Sequence, residues 1–262
     1  MNTAFIEIGT IPAMIRTKTI GYLKRDGLEY YFQHRNGIRP IKIPEKANIT
    51  VLQPVGMPAR ESLSEAIDRA LTDPLDGGAP FSELLQRKNP SSLAIAIPDK
   101  SPPVPVNELL SIIFHHLDRG MPGFELAVVT IIIGCGLQPP PDHEAISRMI
   151  PSDIIHSCNV LCHDPHNALM KDYGTTRRGT PLRINAAFGE ADFKLVVDLI
   201  EPHQFFGFAG GLKSAVVGCA SAESIRHNHG LMRGRPVGII IFYYSIHIWC
   251  FPLTSFESEF LF

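Results

Sequence analysis

The run from Leu126 to Ile133 is apolar and rich in β-branched residues, the pattern of a strand buried on both faces. Strands of that kind belong to parallel sheets covered by helices, so the segments around it decide the fold class. Leu93 to Ile97 is a second short apolar strand, stopping at Pro98-Asp99. Between the two, Val106, Leu109, Leu110, Ile113, Phe114 and Leu117 recur at helical spacing. Helical patterns at Ser62 to Leu71, Phe81 to Leu85 and near His143 to Met149 continue the alternation, with strands near Asn159 to Cys162, at Leu182 to Asn185 and at Lys194 to Ile200. The pattern predicts an α/β fold with a mostly parallel buried sheet and flanking helices. Residues 1–60 alternate short apolar runs with turn formers and read as a small β-rich entry region.

In such sheets ligands collect beyond the carboxyl ends of the strands. The loops that begin at Asp99, Gly134, His163 and Glu201 each follow a predicted strand, so they are expected to converge on one crevice. The fourth carries the most chemistry: Glu201-Pro-His-Gln-Phe-Phe-Gly-Phe-Ala-Gly-Gly-Leu-Lys213, with His229 sixteen residues further on. Gly207, Gly210 and Gly211 let the backbone take positive φ or come close to a bound group. His203, Lys213 and His229 supply a base, a nucleophile or cation, and a metal ligand. Glycines in a strand-to-helix loop can also serve the turn alone, and that reading stands beside the functional one.

Other function classes find less support. A net charge of −2 with interspersed signs gives no basic stripe, so nucleic acid is not an expected partner. Residues 1–14 lack the basic region and long apolar run of a secretory signal, which points to the cytosol. Five cysteines, at 135, 158, 162, 219 and 250, suit reduced thiols better than a disulfide framework. Cys158, Cys162, His163 and His166 combine sulfur and imidazole as zinc does, but the spacing is poor, and two small core residues followed by a His163-Asp164-Pro165 turn is the simpler reading. Phosphate-cradling motifs are missing: Gly134-Cys135-Gly136 lacks a third glycine and runs into Pro139-Pro140-Pro141. Val237 to Leu253 is apolar without alternation, yet at the lower limit of roughly 17 residues for a membrane span and interrupted by His247 and Pro252, so a non-native terminus or buried strands are preferred to a membrane role.

Several ordered motifs resemble the amino-terminal domain of the nickel-dependent lactate racemase family. They are Pro74-Leu-Asp-Gly-Gly-Ala-Pro-Phe-Ser-Glu-Leu-Leu85, Asp99-x-Ser101-x-Pro-Val-Pro105, His163-Asp164, Gly174-Thr-Thr-x-x-Gly-Thr-Pro181, Ala191-Asp192, and Glu201-Pro-His-x-x-x-Gly-Phe-x-Gly-Gly-x-Lys213 with Asn228-His229. The similarity runs from about residue 41 to residue 235.

The resemblance implies a Rossmann-like sheet that binds a nickel-pincer nucleotide, a pyridinium mononucleotide with thioamide and thiocarboxylate groups. It implies Lys213 as the lysine joined to the nucleotide, His229 as the nickel ligand, and Asp99, Ser101, Gly210 and Gly211 beside the cofactor. His203 takes the place of one of two acid/base histidines that handle the hydroxyl proton of a 2-hydroxy acid. Two positions depart from the pattern: Pro102 stands where the family has a carboxylate-clamping arginine, and Gln138 where it has the second histidine. Residues 1–236 are thus expected to be the family's amino-terminal domain and 237–262 an atypical tail, with the second domain that closes over the cofactor missing.

Overall fold

The computed structural model describes residues 62–74, 78–99, 104–200 and 209–231, together with the backbone of short strands at 3–7, 29–34, 37–42, 48–52, 202–203 and 207–208. The chain divides into two compact units, Met1–Arg60 and Glu61–Phe262. In the first, β1 (Thr3–Glu7) pairs in parallel with β4 (Asn48–Leu52), and β2 (Glu29–His34) forms an antiparallel hairpin with β3 (Gly37–Lys42). The apolar segment 237–253 lies outside the described residues.

The second unit is built on four parallel strands: β5 (Leu93–Pro98), β6 (Val129–Gly134), β7 (Asn159–Cys162) and β10 (Phe193–Val196), in the spatial order β10-β5-β6-β7. From β5 the chain moves outward through β6 to β7, then returns to place β10 on the other side of β5. The order therefore reverses at β5, and in such sheets ligands collect beyond the carboxyl ends of the strands that flank the reversal, here β5 and β10.

Helices cover one face of this sheet. α1 (Leu63–Thr72), α2 (Phe81–Lys88), α3 (Val106–Gly120) and α5 (Ser152–Ser157) send Leu71, Phe81, Leu85, Leu110, Leu117 and Ile154 into a core with Ile95, Ile97, Ile131, Ile133 and Leu195. α4 (His143–Met149) adds Ile146 and Met149 at its edge and starts at Asp142, whose carboxylate accepts from Ala145 N at 2.8 Å. The opposite face carries small residues, Ala94 and Ala96 of β5, and is covered by Phe188 of α6 (Ala186–Gly189) and Ala215 of α7 (Leu212–Val216). Leu182 and Ile184 of β9 (Pro181–Asn185) complete that layer.

Three details differ from the expectation drawn from the sequence. The apolar run at 126–133 is not one strand: Leu126–Val128 is a 3-10 turn and β6 begins at Val129, opposite Leu93, where its partner β5 begins. β9 is outside the parallel sheet; it pairs antiparallel with β8 (Met170–Thr175), a strand too polar to read from its sequence. The strand expected at 194–200 ends at Val196. Among the described residues no helix is long and apolar enough to cross a membrane.

Candidate functional site

The loops at the carboxyl edge do meet. Asp99 follows β5 half-buried, and its charge is felt by the thiol of Cys135, the first residue beyond β6. The same loop turns through Gly136, at φ +55°, whose N–H donates to Gly218 O at 2.9 Å, just beyond α7. The loop after β10 closes on itself. A Cβ on Gly210 would lie 2.6 Å from Leu199 O, and its φ of +92° is one that L side chains rarely adopt, so this position demands glycine on two counts. Gly211, at φ +55°, has open space where a Cβ would stand.

Lys213 is the second residue of α7, half-buried, with its N–H donating to Gly210 O at 3.3 Å and its own carbonyl accepting from Val217 N at 2.7 Å. α7 rests on β5 and β10, so Lys213 is carried by a helix seated on the two strands that flank the reversal point. A short hairpin precedes it, β11 (Pro202–His203) with β12 (Gly207–Phe208), in which His203 pairs opposite Gly207. The His203 side chain, Phe206, and the side chains of Phe208 and Leu212 lie outside the described residues, as do Ser101 and Pro102.

His229 stands near the end of α8 (Ala222–Leu231), which packs on β9. Its Nδ1 lies 2.8 Å from Ile225 O. A carbonyl can only accept, so Nδ1 is the donor in this contact, and of the two ring nitrogens Nε2 is the one a metal could take. The preceding Asn228 has its Oδ1 buried without a hydrogen-bond partner among the described residues.

His163 has a different role from the one its turn-like sequence suggests. It is 2% exposed. Its Nε2 donates to Ala220 O at 2.9 Å, which leaves Nδ1 to accept from Asn185 Nδ2 at 3.2 Å. Burial holds its pKa below the ordinary imidazole value, with the bond to Ala220 and the Asp164 charge opposing the shift. Asn185 N in turn donates to Cys219 O at 2.8 Å, and Ala222 N to Pro165 O at 2.9 Å. The corner between α7 and α8 is therefore pinned to β7 and β9, and this corner sets Lys213 and His229 relative to each other. Nothing in the sequence marked Asn185 as the partner, because its role depends on a contact 22 residues distant.

The Cys158, Cys162, His163, His166 group does not assemble as a zinc site. Both ring nitrogens of His163 are taken, His166 is exposed, and the described residues include no cluster of three or more ligating side chains. Asp164 closes the turn instead, accepting from His166 N at 2.8 Å and from Asn167 N at 3.1 Å. A separate cavity of about 260 Å³, lined by Phe114, Leu117, Met121, Phe124, Leu126 and Asp153, lies beside the carboxyl end of α3. Because α3 crosses back between parallel strands, that end lies at the amino edge of the sheet, away from the candidate site.

Fold and loops together define a parallel-sheet α/β domain whose strand order reverses at β5, the position where ligands of such sheets collect. The chain belongs to the family of lactate racemase N-terminal domains, whose model matches residues 35–237. It is 29% identical over 169 residues to lactate racemase of Lactiplantibacillus plantarum and 31% identical over 169 residues to lactate racemase of Thermoanaerobacterium thermosaccharolyticum. Each match covers 64% of this chain, which spans 38% of the length of either relative. The fold matches the lactate racemase apoprotein of the latter organism with a TM-score of 0.60 and 24% identity, over 75% of this chain and 45% of that one.

Proposed function

We propose that this chain forms the cofactor-holding part of a 2-hydroxy-acid racemase or epimerase, carrying a nickel-pincer nucleotide on Lys213 with His229 as nickel ligand. The observation that carries the reading is the state of the Asn228-His229 pair: an imidazole whose proton is held on Nδ1 by Ile225 O, beside a buried amide oxygen with no partner among the described residues. The open space where a Cβ would stand at Gly211 fits a backbone approached by a bound group. The residues present therefore suit the nucleotide: Lys213 for attachment, Asp99, Ser101, Gly210 and Gly211 along it, and neutral imidazole for nickel, a borderline metal.

When bound, such a group supplies a reversible acceptor for the hydride on the carbinol carbon of the substrate. His203 takes and returns the hydroxyl proton, a task for which imidazole is the usual side chain. Pro102 offers no donor to the substrate carboxylate, and Gln138, exposed in the loop after β6, cannot titrate near neutrality. Proton handling is then one-sided, which lowers or abolishes racemisation. That replacement favours a second reading, a binding or carrier module that retains Lys213 and His229 without turnover. In either case residues 1–236 act as the family's amino-terminal domain in the cytoplasm, and closure by a second domain of the family's kind would exclude water and strengthen the electrostatics of the site.

The test is to express the chain with the cofactor-synthesis proteins and measure intact mass and nickel content. The wild type gains a covalent adduct and nickel, Lys213→Ala gains no adduct, and His229→Ala keeps the adduct while losing nickel. A wild type with neither adduct nor nickel sinks both readings. Turnover of lactate, malate or sugar acids by loaded protein, abolished in His203→Ala, selects the enzyme; loaded protein with no rate selects the carrier.

A further inference from the structure

At the carboxyl edge of β6 and β7 two thiols face one another across neighbouring strands. Cys135 is 3% exposed, whereas Cys162, the last residue of β7, is partly exposed, and both pack on the isoleucine-rich core of the α1–α5 face. The backbone brings them together. Ile133, the register partner of Cys162, accepts at its carbonyl from Cys135 N at 3.0 Å, from Cys135 Sγ at 3.4 Å and from His163 N at 3.0 Å, so the residues that follow β6 and β7 close on one carbonyl. The Cys162 thiol is close enough for its charge to be felt at Cys135. Cys158 lies four residues before Cys162, about 13 Å along an extended chain, and Cys219 belongs to the core of the opposite face. All four of these cysteines are free.

We propose that Cys135 and Cys162 form a reversible dithiol–disulfide site, oxidised by low-molecular-weight disulfides such as oxidised glutathione. The inference is independent of the cofactor reading. Cys162, the accessible thiol, attacks one sulfur of oxidised glutathione as its thiolate, forming a mixed disulfide and releasing one glutathione thiol. Cys135 then loses its proton and attacks Cys162 Sγ, closing the Cys135–Cys162 bond and displacing the second glutathione. Two protein thiols lose two electrons and two protons, and one oxidised glutathione becomes two reduced ones. Burial, the neighbouring thiol and the Asp99 charge push the Cys135 thiol up to about 12, and burial also raises Cys162. Both are thus protonated near neutrality, so the exchange is slow and base-accelerated, unlike that of a low-pKa sensor thiol. A reducing cytosol keeps the pair open, and an oxidising shift ties the loop carrying Gln138 to β7 beside Asp99.

The experiment uses the purified full chain. After incubation with oxidised glutathione, remaining thiols are alkylated and the protein is digested with trypsin without reduction. Cys135 falls in the peptide 120–148, and Cys158 and Cys162 in the peptide 149–171. The expected product is one cross-linked pair of these peptides, two hydrogens lighter than their sum, fragmenting at Cys135 and Cys162 and reversed by dithiothreitol. It forms about tenfold faster at pH 8 than at pH 7. The cross-link persists in Cys158→Ser, and Cys135→Ser retains glutathione on Cys162. Should Cys135→Ser fail to fold, the wild-type fragment spectrum decides alone. Continued alkylation of Cys135 at every ratio of oxidised to reduced glutathione, or a bridge from Cys162 to Cys158, Cys219 or Cys250, overturns the proposal.

Discussion

The two faces of the parallel sheet are made differently, and the candidate site belongs to one of them. Toward α1–α5, β5 presents Leu93, Ile95 and Ile97; toward α6 and α7 the same strand presents Ala94 and Ala96. Bulk fills the first layer and stability accumulates there as buried apolar area. On the second, β5 offers only alanines beside Ile132 of β6, and positions are also set by directed bonds: Gly136 N to Gly218 O, Asn185 N to Cys219 O, and the two bonds of the His163 ring. Apolar contact is tolerant of small shifts, whereas hydrogen bonds are not. The face that must hold Lys213 and His229 in register uses the stricter interaction.

The largest effect should follow from hollowing the bulky face. Ile131→Ala, at a site with no exposure, should cost about 2–5 kcal/mol in urea denaturation; a loss below 1 kcal/mol would mean this layer is not the main store of stability. On the other face the reverse substitution should hurt. Ala96→Leu should destabilise by about 1–3 kcal/mol through overpacking against the covering helices, and a neutral result would remove the claimed difference between the layers.

The directed bonds should be visible in a pH titration. His163 is neutral in the fold with its pKa lowered mainly by burial, so the unfolded chain binds a proton that the folded chain resists. Its contribution is complete above the unfolded value of about 6.5 and is lost as pH falls from there through the folded value. Urea midpoints measured from pH 8 to pH 5 should decline in the wild type and flatten in His163→Gln, and identical slopes would show that this histidine does not hold the corner. The smallest effect should come from Asp142→Ala, which removes the cap of α4 at the rim of the bulky face and should cost about 1 kcal/mol, read from the thermal midpoint.

Much of the bulky face could be read along the chain. α3 follows the spacing of Val106, Leu109, Leu110, Ile113 and Leu117, and β7 and α4 fall where their patterns put them. The second face was harder. β9 has two buried apolar positions, Leu182 and Ile184, that mimic a strand of the main sheet, while its true partner β8 is Met-Lys-Asp-Tyr-Gly-Thr, mostly exposed and without alternation. The 3-10 turn at Leu126–Val128 shows the same limit from the other side: apolar residues extend the pattern past the point where a neighbouring strand exists to pair with them.

The candidate site divides likewise. Gly210 and Gly211 were legible as positions of unusual backbone, and the motifs around Lys213 and His229 pointed to the family that the residue 35–237 match establishes. His163 was legible as a residue but not in its role, since a histidine beside Asp-Pro reads equally as turn, ligand or core until its two ring nitrogens meet Ala220 and Asn185. Hydrophobic period and turn chemistry are local properties, repeated every two to four residues, so the order of amino acids suffices to place strands, helices and glycine turns. Which thiol faces Cys135, which groups meet the two ring nitrogens of His163 and which strand neighbours β5 depend on segments tens of residues apart. Those pairings come into being when the sheet closes.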